Sequence, residues 1–181
     1  MLNMISETQS CMLKTIAFLA VLMILLISGS CKKYYETVPG AVVINEIMPV
    51  NSTTIADQDG EYDDWIELFN LSYAAIDLSG YYLSDSKKEI KKWKFPHGTS
   101  IAENGYLIIW ADNDTNQTGL HANFKLSSAG EEVVLTKPDG TITDKTEFPA
   151  PALELSYSRV PNGKGPFKWQ TPTFLRSNDS R

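Results

Sequence analysis

Histidine and cysteine are nearly missing from this chain: it has two of each, His97 and His121, Cys11 and Cys31. Two thiols cannot build a disulfide framework, so any exported domain here must be held by its own apolar core. Two histidines, with no free cysteine set beside either, leave a serine or cysteine hydrolase without its visible base. Both histidines sit in turn-like contexts, Phe95-Pro96-His97-Gly98 and Gly119-Leu120-His121-Ala122, where a surface role is expected. Positive charge is also short, with 16 basic against 22 acidic side chains and a net charge of −6, which argues against a nucleic-acid partner. Long hydrophobic runs are missing too. The longest, Ile16 to Ile27, would be a helix of about 18 Å against a hydrocarbon core of about 30 Å. No segment beyond it carries a sustained 3.6-residue apolar stripe, so amphipathic helices are not expected.

What is present begins with that short run. Lys14 precedes it and Ser28, Gly29 and Ser30 follow, the order of an export signal. Residues 1–30 are therefore expected to form a signal helix, with Met1 and Met12 both available as starts. Ser28-Gly29-Ser30-Cys31 resembles a bacterial lipobox, with serine at Ser28 where leucine is usual. Cleavage there would make Cys31 the first residue and the site of lipidation, and two or three acyl chains hold a protein durably on a bilayer. Residues 31–40 read as a tether ending in Pro39-Gly40. Lys32 and Lys33 stand where an aspartate would retain a lipoprotein at the inner membrane, so the outer membrane of a bacterial envelope is the expected address. The remaining 41–178, about 140 residues, are one domain long enough to bury roughly two-thirds of the unfolded chain's surface.

In that domain short apolar or alternating runs recur between turn signals, an all-β pattern. Strands are expected over Val42–Met48, Trp65–Leu71, Tyr81–Leu83, Lys91–Phe95, Tyr106–Ala111, Val133–Thr136, Thr141–Phe148 and Leu155–Val160. Tyr106–Ala111 is the most apolar and is expected to be central, buried on both faces. Pro138-Asp139-Gly140 predicts a tight hairpin turn. Eight such strands fit two packed antiparallel sheets.

The order and spacing of several short pieces add to this. They are Ile44-Asn45-Glu46-Ile47, then Asp64-Trp65-Ile66-Glu67-Leu68-Phe69-Asn70, then Ile76-Asp77-Leu78-Ser79-Gly80-Tyr81-Tyr82-Leu83-Ser84-Asp85. Phe95-Pro96 with Ile101 and Gly105-Tyr106, Phe124-Lys125-Leu126-Ser127 with Gly130-Glu131, and the Pro138-Asp139-Gly140 turn follow. Together they resemble the lamin tail domain, an immunoglobulin-like antiparallel β-sandwich found in nuclear lamins and in bacterial exported proteins. The resemblance implies the fold and a non-catalytic binding or structural role, and carries over no catalytic residue.

Four features bear on ligands. Asp57, Asp59, Glu61 and Asp63 crowd one loop and supply the oxygen atoms calcium requires. Asp112-Asn113-Asp114-Thr115-Asn116 begins like an EF-hand loop, but Gln117 and Asn123 stand where glycine and glutamate are needed. Lys87, Lys88, Lys91, Lys92 and Lys94 around Trp93 form the one basic patch, suited to a polyanion or lipid headgroup, or to a wet strand face that resists edge aggregation. Tyr62, Trp93 and Trp169 would serve a carbohydrate-binding module if they lay coplanar on one sheet. A metal-assisted hydrolase is the remaining alternative, with Asp57, Asp59, Asp63 and Asp64 around a divalent ion and His97 or His121 as base. A protein or polysaccharide partner at the envelope is expected, met by exposed loops and sheet edges.

Overall fold

A computed structural model describes residues 41–151 and 153–179. The expected signal helix and tether, with Cys31, lie outside the described residues. Twelve strands and no helix occur among them.

The two strands that organise the fold are β1 (Val42–Met48) and β2 (Trp65–Asn70), buried at every residue. They pair antiparallel, and the register slips between Ile44 and Glu46, leaving Asn45 as a bulge. The bulge explains a polar pair inside an apolar strand. Simple alternation would send Ile44, Glu46 and Met48 to one face; one extra residue lets Ile44 and Ile47 both face the core while Glu46 turns to the far side. Glu46 then stands opposite Glu67, and Ile47 opposite Ile66.

β7 (Tyr106–Ala111) pairs antiparallel with β2, and β8 (His121–Ala122) adds parallel to its end, at Trp110 and Ala111 only. β7 was expected at the centre with both faces buried. It lies one place from the sheet edge, and its first three residues are only half-buried. On the other side of β1 come β11 (Ser156–Arg159) and β12 (Phe167–Gln170), giving the six-stranded order β12-β11-β1-β2-β7-β8.

The second sheet has the order β10-β9-β4-β5, with β4 (Tyr82–Ser84), β5 (Trp93–Lys94), β9 (Gly130–Thr136) and β10 (Ile142–Pro149). β9 and β10 form the expected hairpin. Gly140, at φ +94°, donates to Lys137 O at 2.9 Å, and Asp139 Oδ1 accepts the Thr141 N–H at 2.8 Å. β3 (Ile76–Asp77) and β6 (Ser100–Ile101) make a separate two-stranded pair.

Between the sheets lies the main core, with Ile44, Ile47, Ile66, Leu68 and Ile109 from one side and Leu83, Val133 and Leu135 from the other. Trp93, Phe95, Phe124 and Phe148 complete it. At roughly 1.5–3 kcal/mol for each large side chain fully withdrawn from water, this core is the main source of stability in a domain whose described residues contain no cysteine. A smaller cluster of Met48, Trp65 and Trp110 lies on the outer face of the six-stranded sheet, covered by Ile55 and Phe174. The strap 171–179 thus gives a second side to a sheet that otherwise has one.

Candidate functional site

The two acidic loops lie together. Asp59 Oδ2 accepts the Thr118 N–H at 3.2 Å, and Gln117 Nε2 donates to Glu61 Oε2 at 3.0 Å. Much of the carboxylate capacity is spent inside the loops: Asp57 Oδ1 accepts the N–H groups of Asp59 (2.9 Å) and Glu61 (2.8 Å), and Asp112 Oδ1 that of Asp114 (2.9 Å). Asp63 has its pKa raised by loss of water and then by the charges of Asp112, Asp57 and Glu61. Among the described residues no three His, Cys, Asp or Glu side chains are grouped to hold a metal ion. Three buried oxygens of this corner, Asp57 Oδ2, Asp63 Oδ2 and Gln117 Oε1, have no hydrogen-bond partner. Asp64, at the mouth of β2, has its pKa raised to about 7, chiefly by burial and then by Asp63, against the lowering bond from the Asn51 N–H.

His97 is exposed in its turn, as expected. His121 is not: it is 4% exposed, with Nδ1 2.5 Å from Asp112 Oδ2 and Nε2 3.1 Å from Thr118 O. Both ring nitrogens face oxygen acceptors, an arrangement that an imidazolium satisfies and a neutral ring does not. Burial lowers its pKa, but the hydrogen bond and charge of Asp112, the Thr118 carbonyl and Asp57 outweigh burial, and the net shift is upward. With both nitrogens engaged, His121 fastens the second acidic loop and has no lone pair to offer as the hydrolase base.

The basic patch is dispersed by pairing. Lys92 binds both oxygens of Asp85, at 2.8 and 2.7 Å, with its ammonium 5.5 Å from the Phe124 ring. Lys87 pairs with Glu132 at 3.3 Å, and Lys91 donates to Pro138 O at 3.0 Å while lying over Tyr82. Lys88 and Lys94 are exposed and form no ion pair among the described residues. Nor do Tyr62, Trp93 and Trp169 form a coplanar platform. Trp93 is buried against Phe95, ring centres 4.7 Å apart, Trp169 packs on Tyr157, and Tyr62 stands 49% exposed in the acidic loop.

One constellation escaped the sequence. Behind β1 and β2, under the strap, the fully buried Glu46 and Glu67 are register partners. Glu46 Oε1 accepts the Ser156 hydroxyl and the Thr173 N–H (2.9 Å), and its Oε2 accepts the Thr173 hydroxyl. Glu67 accepts from Asn45 Nδ2 at 2.9 Å and from the Leu175 N–H at 2.6 Å. Asn178 Nδ2 donates to the carbonyls of Asn45 (3.0 Å) and Arg159 (2.9 Å), satisfying the bulge. Gly163, at φ +68°, donates to Asn45 Oδ1, and a Cβ there would come within 2.7 Å of Phe69. Burial and then the Glu46 charge push the Glu67 pKa up to about 8, against the bonds from Asn45 and Leu175. The available signal was a glutamate in each of two otherwise apolar strands. The strap residues that answer them, Thr173 and Leu175, are more than a hundred positions away and belong to no strand.

One concave feature among the described residues is a shallow groove of about 400 Å³ beside β7, lined by Tyr106, Leu107, Ile108, Gly119, Leu120 and Leu175 among others. Gln58 of the acidic loop also lines it, beside Gly119.

Two largely antiparallel sheets packed face to face, with short connections and polar networks confined to the ends and outer face, define an immunoglobulin-like β-sandwich module. The family model described as Lamin Tail Domain matches residues 36–149, and the chain belongs to that family. β11, β12 and the strap lie past the match and complete the same sheet. A search of curated proteins finds no match to the chain.

Proposed function

We propose that the protein is a bacterial envelope lipoprotein: acyl chains on Cys31 hold it to a membrane, the outer one by the residues that follow, and its lamin tail domain serves as a non-catalytic binding or structural module. The observation that carries the anchor is the run Lys14, Ile16–Ile27, Ser28-Gly29-Ser30, Cys31, where charge, apolar stretch, small residues and thiol follow in the order lipoprotein processing uses. The binding role is supported by family membership and by where the polar groups stand. Glu46 and Glu67 are buried under the strap, and His121 has both nitrogens occupied. Recognition is left to loops and edges, with a protein or polysaccharide of the envelope as partner. Replacing Cys31 by alanine tests the anchor: the variant is expected in the soluble fraction and the parent with membranes, and identical partitioning would contradict the reading.

One observation favours calcium as a second reading. The unpartnered oxygens of Asp57, Asp63 and Gln117 are of the hard type calcium takes. Calcium is then expected to raise the melting temperature relative to a chelator, with the rise lost in Asp63→Asn; equal melting in both conditions would discard it.

A further inference from the structure

We propose that the free edge of β7 is a strand-addition site for an extended peptide that is apolar along its length and carries lysine or arginine at one end. The inference deepens the binding-module reading and rests on it.

The backbone supplies the first part. The Trp110 N–H donates to Leu120 O at 2.8 Å, away from β2, whereas the Ala111 N–H points back to Asp64 O at 2.7 Å. Because these directions alternate along a strand, the N–H and C=O of Ile108 and Tyr106 point the same way as those of Trp110. β8 covers only Trp110 and Ala111, so no described strand pairs with Tyr106–Ile109 on that side. Four residues leave about 13 Å of open ladder. Another strand of the same sheet shows what a closed edge looks like in this molecule. The half of β1 beyond its short pairing with β11 is plugged by side chains, Arg159 Nε on Ile44 O at 2.8 Å and Asp144 Oδ2 on the Ile44 N–H at 2.9 Å. No lysine, proline or bulge protects β7 over Tyr106–Ile109, although exposed edges are commonly protected in these ways.

The groove supplies the second part. It follows this same edge, with Leu107 and Leu120 on the core side and Ile108 and Leu175 on the outer side, so alternate side chains of an added strand would meet apolar surface on both faces. Charge supplies the third. At the Trp110 end the groove meets Gln58, within the loop of Asp57, Asp59, Glu61 and Asp63, with Asp112 and Asp114 beside it. A second copy of this chain would bring an equally acidic loop and a net charge of −6, whereas a basic end is complementary. An antiparallel strand, the more stable pairing, places its N-terminal residues at that acidic end.

The test uses the full chain in detergent micelles and a synthetic octapeptide of two N-terminal lysines followed by alternating valine and leucine. Saturable binding is expected, with amide shifts centred on Tyr106–Ile109 and slowed hydrogen exchange at the Ile108 N–H. Methylating the peptide nitrogens that face β7 is expected to weaken binding at least about tenfold. Exchanging the two lysines for glutamates is expected to weaken it by a similar factor, with the preference fading at high salt. Because both changes are made in the peptide, the fold of the protein is untouched. No saturable binding, equal affinity of the methylated peptide, or shifts mapping elsewhere would overturn the proposal. Acylated Cys31 without peptide binding removes this inference alone; peptide binding by a chain with bare Cys31 removes the anchor and leaves the edge.

Discussion

At the scale of single residues, three titrating groups, Glu67 and His121 buried and Asp64 half-buried, pull in one direction. Glu67, raised from 4.5 to about 8, keeps a proton in the folded chain that the unfolded chain has lost across that interval. Stability therefore falls by up to about 1.4 kcal/mol for each pH unit between the two values. Asp64, raised from 3.8 to about 7, adds to the same slope. His121 has a raised pKa as well, so its ion pair with Asp112 stabilises fully below about 6.5 and is lost as pH climbs through the folded value. Melting followed by circular dichroism is expected to be highest on the acid side of neutrality and to decline toward pH 8. Glu67→Gln should flatten that decline. Its amide turns one acceptor into a donor facing Asn45 or Leu175, at a cost of about 1–3 kcal/mol, so the variant starts below the parent at pH 5 and closes the gap by pH 8. A melting temperature that rises steadily from pH 5 to 8 would contradict these assignments.

At the scale of elements, the most informative part is the irregular first strand. Its span, Val42–Met48, was legible from composition and from the proline that stops it, and so was the β9–β10 hairpin from Pro138-Asp139-Gly140. The bulge at Asn45 was not, because the pattern Ile-Asn-Glu-Ile is compatible with a poor regular strand or a good bulged one, and only the buried partners Thr173 and Asn178 decide. β7 was misplaced for a related reason. Apolarity along Tyr106–Ala111 reads as central burial, whereas half of it faces the outer groove. The two-residue strands β3, β6 and β8 are too short for any periodicity to declare. Side chains that substitute for a neighbouring strand give a direct test. Arg159→Ala leaves Ile44 O without its donor and Asp144 without its cation, and is expected to cost about 2–4 kcal/mol in urea unfolding. A cost under half a kcal/mol would show that the β1 edge does not need the plug.

At the scale of the whole molecule, the family match and the folded unit do not coincide. The match stops at Pro149, yet β11 pairs with β1, and Ser156 and Thr173 hold Glu46. A chain ending at Pro149 would lose the three donors to Glu46, uncover the apolar cluster of Met48, Trp65 and Trp110 and open the β1 edge, so it is expected to be insoluble or to lack a cooperative melting transition; a sharp transition would mean that the strap is dispensable. The site was less legible than the fold. The sequence marked the carboxylates of both acidic loops but could not show that Gln117 and Thr118 join them, since that contact is made across about sixty residues of chain. Lys87 and Lys92 looked like a basic patch because Glu132 and Asp85, their partners, are set by tertiary pairing rather than by spacing. Edge, groove and acidic rim came together only in three dimensions.

The envelope reading depends most on what happens to one thiol. Mass spectrometry of the mature protein from membranes is the measurement that tests it: the account predicts an N-terminal peptide beginning at Cys31 and carrying acyl chains, and an unmodified Cys31 inside an uncleaved chain would contradict it.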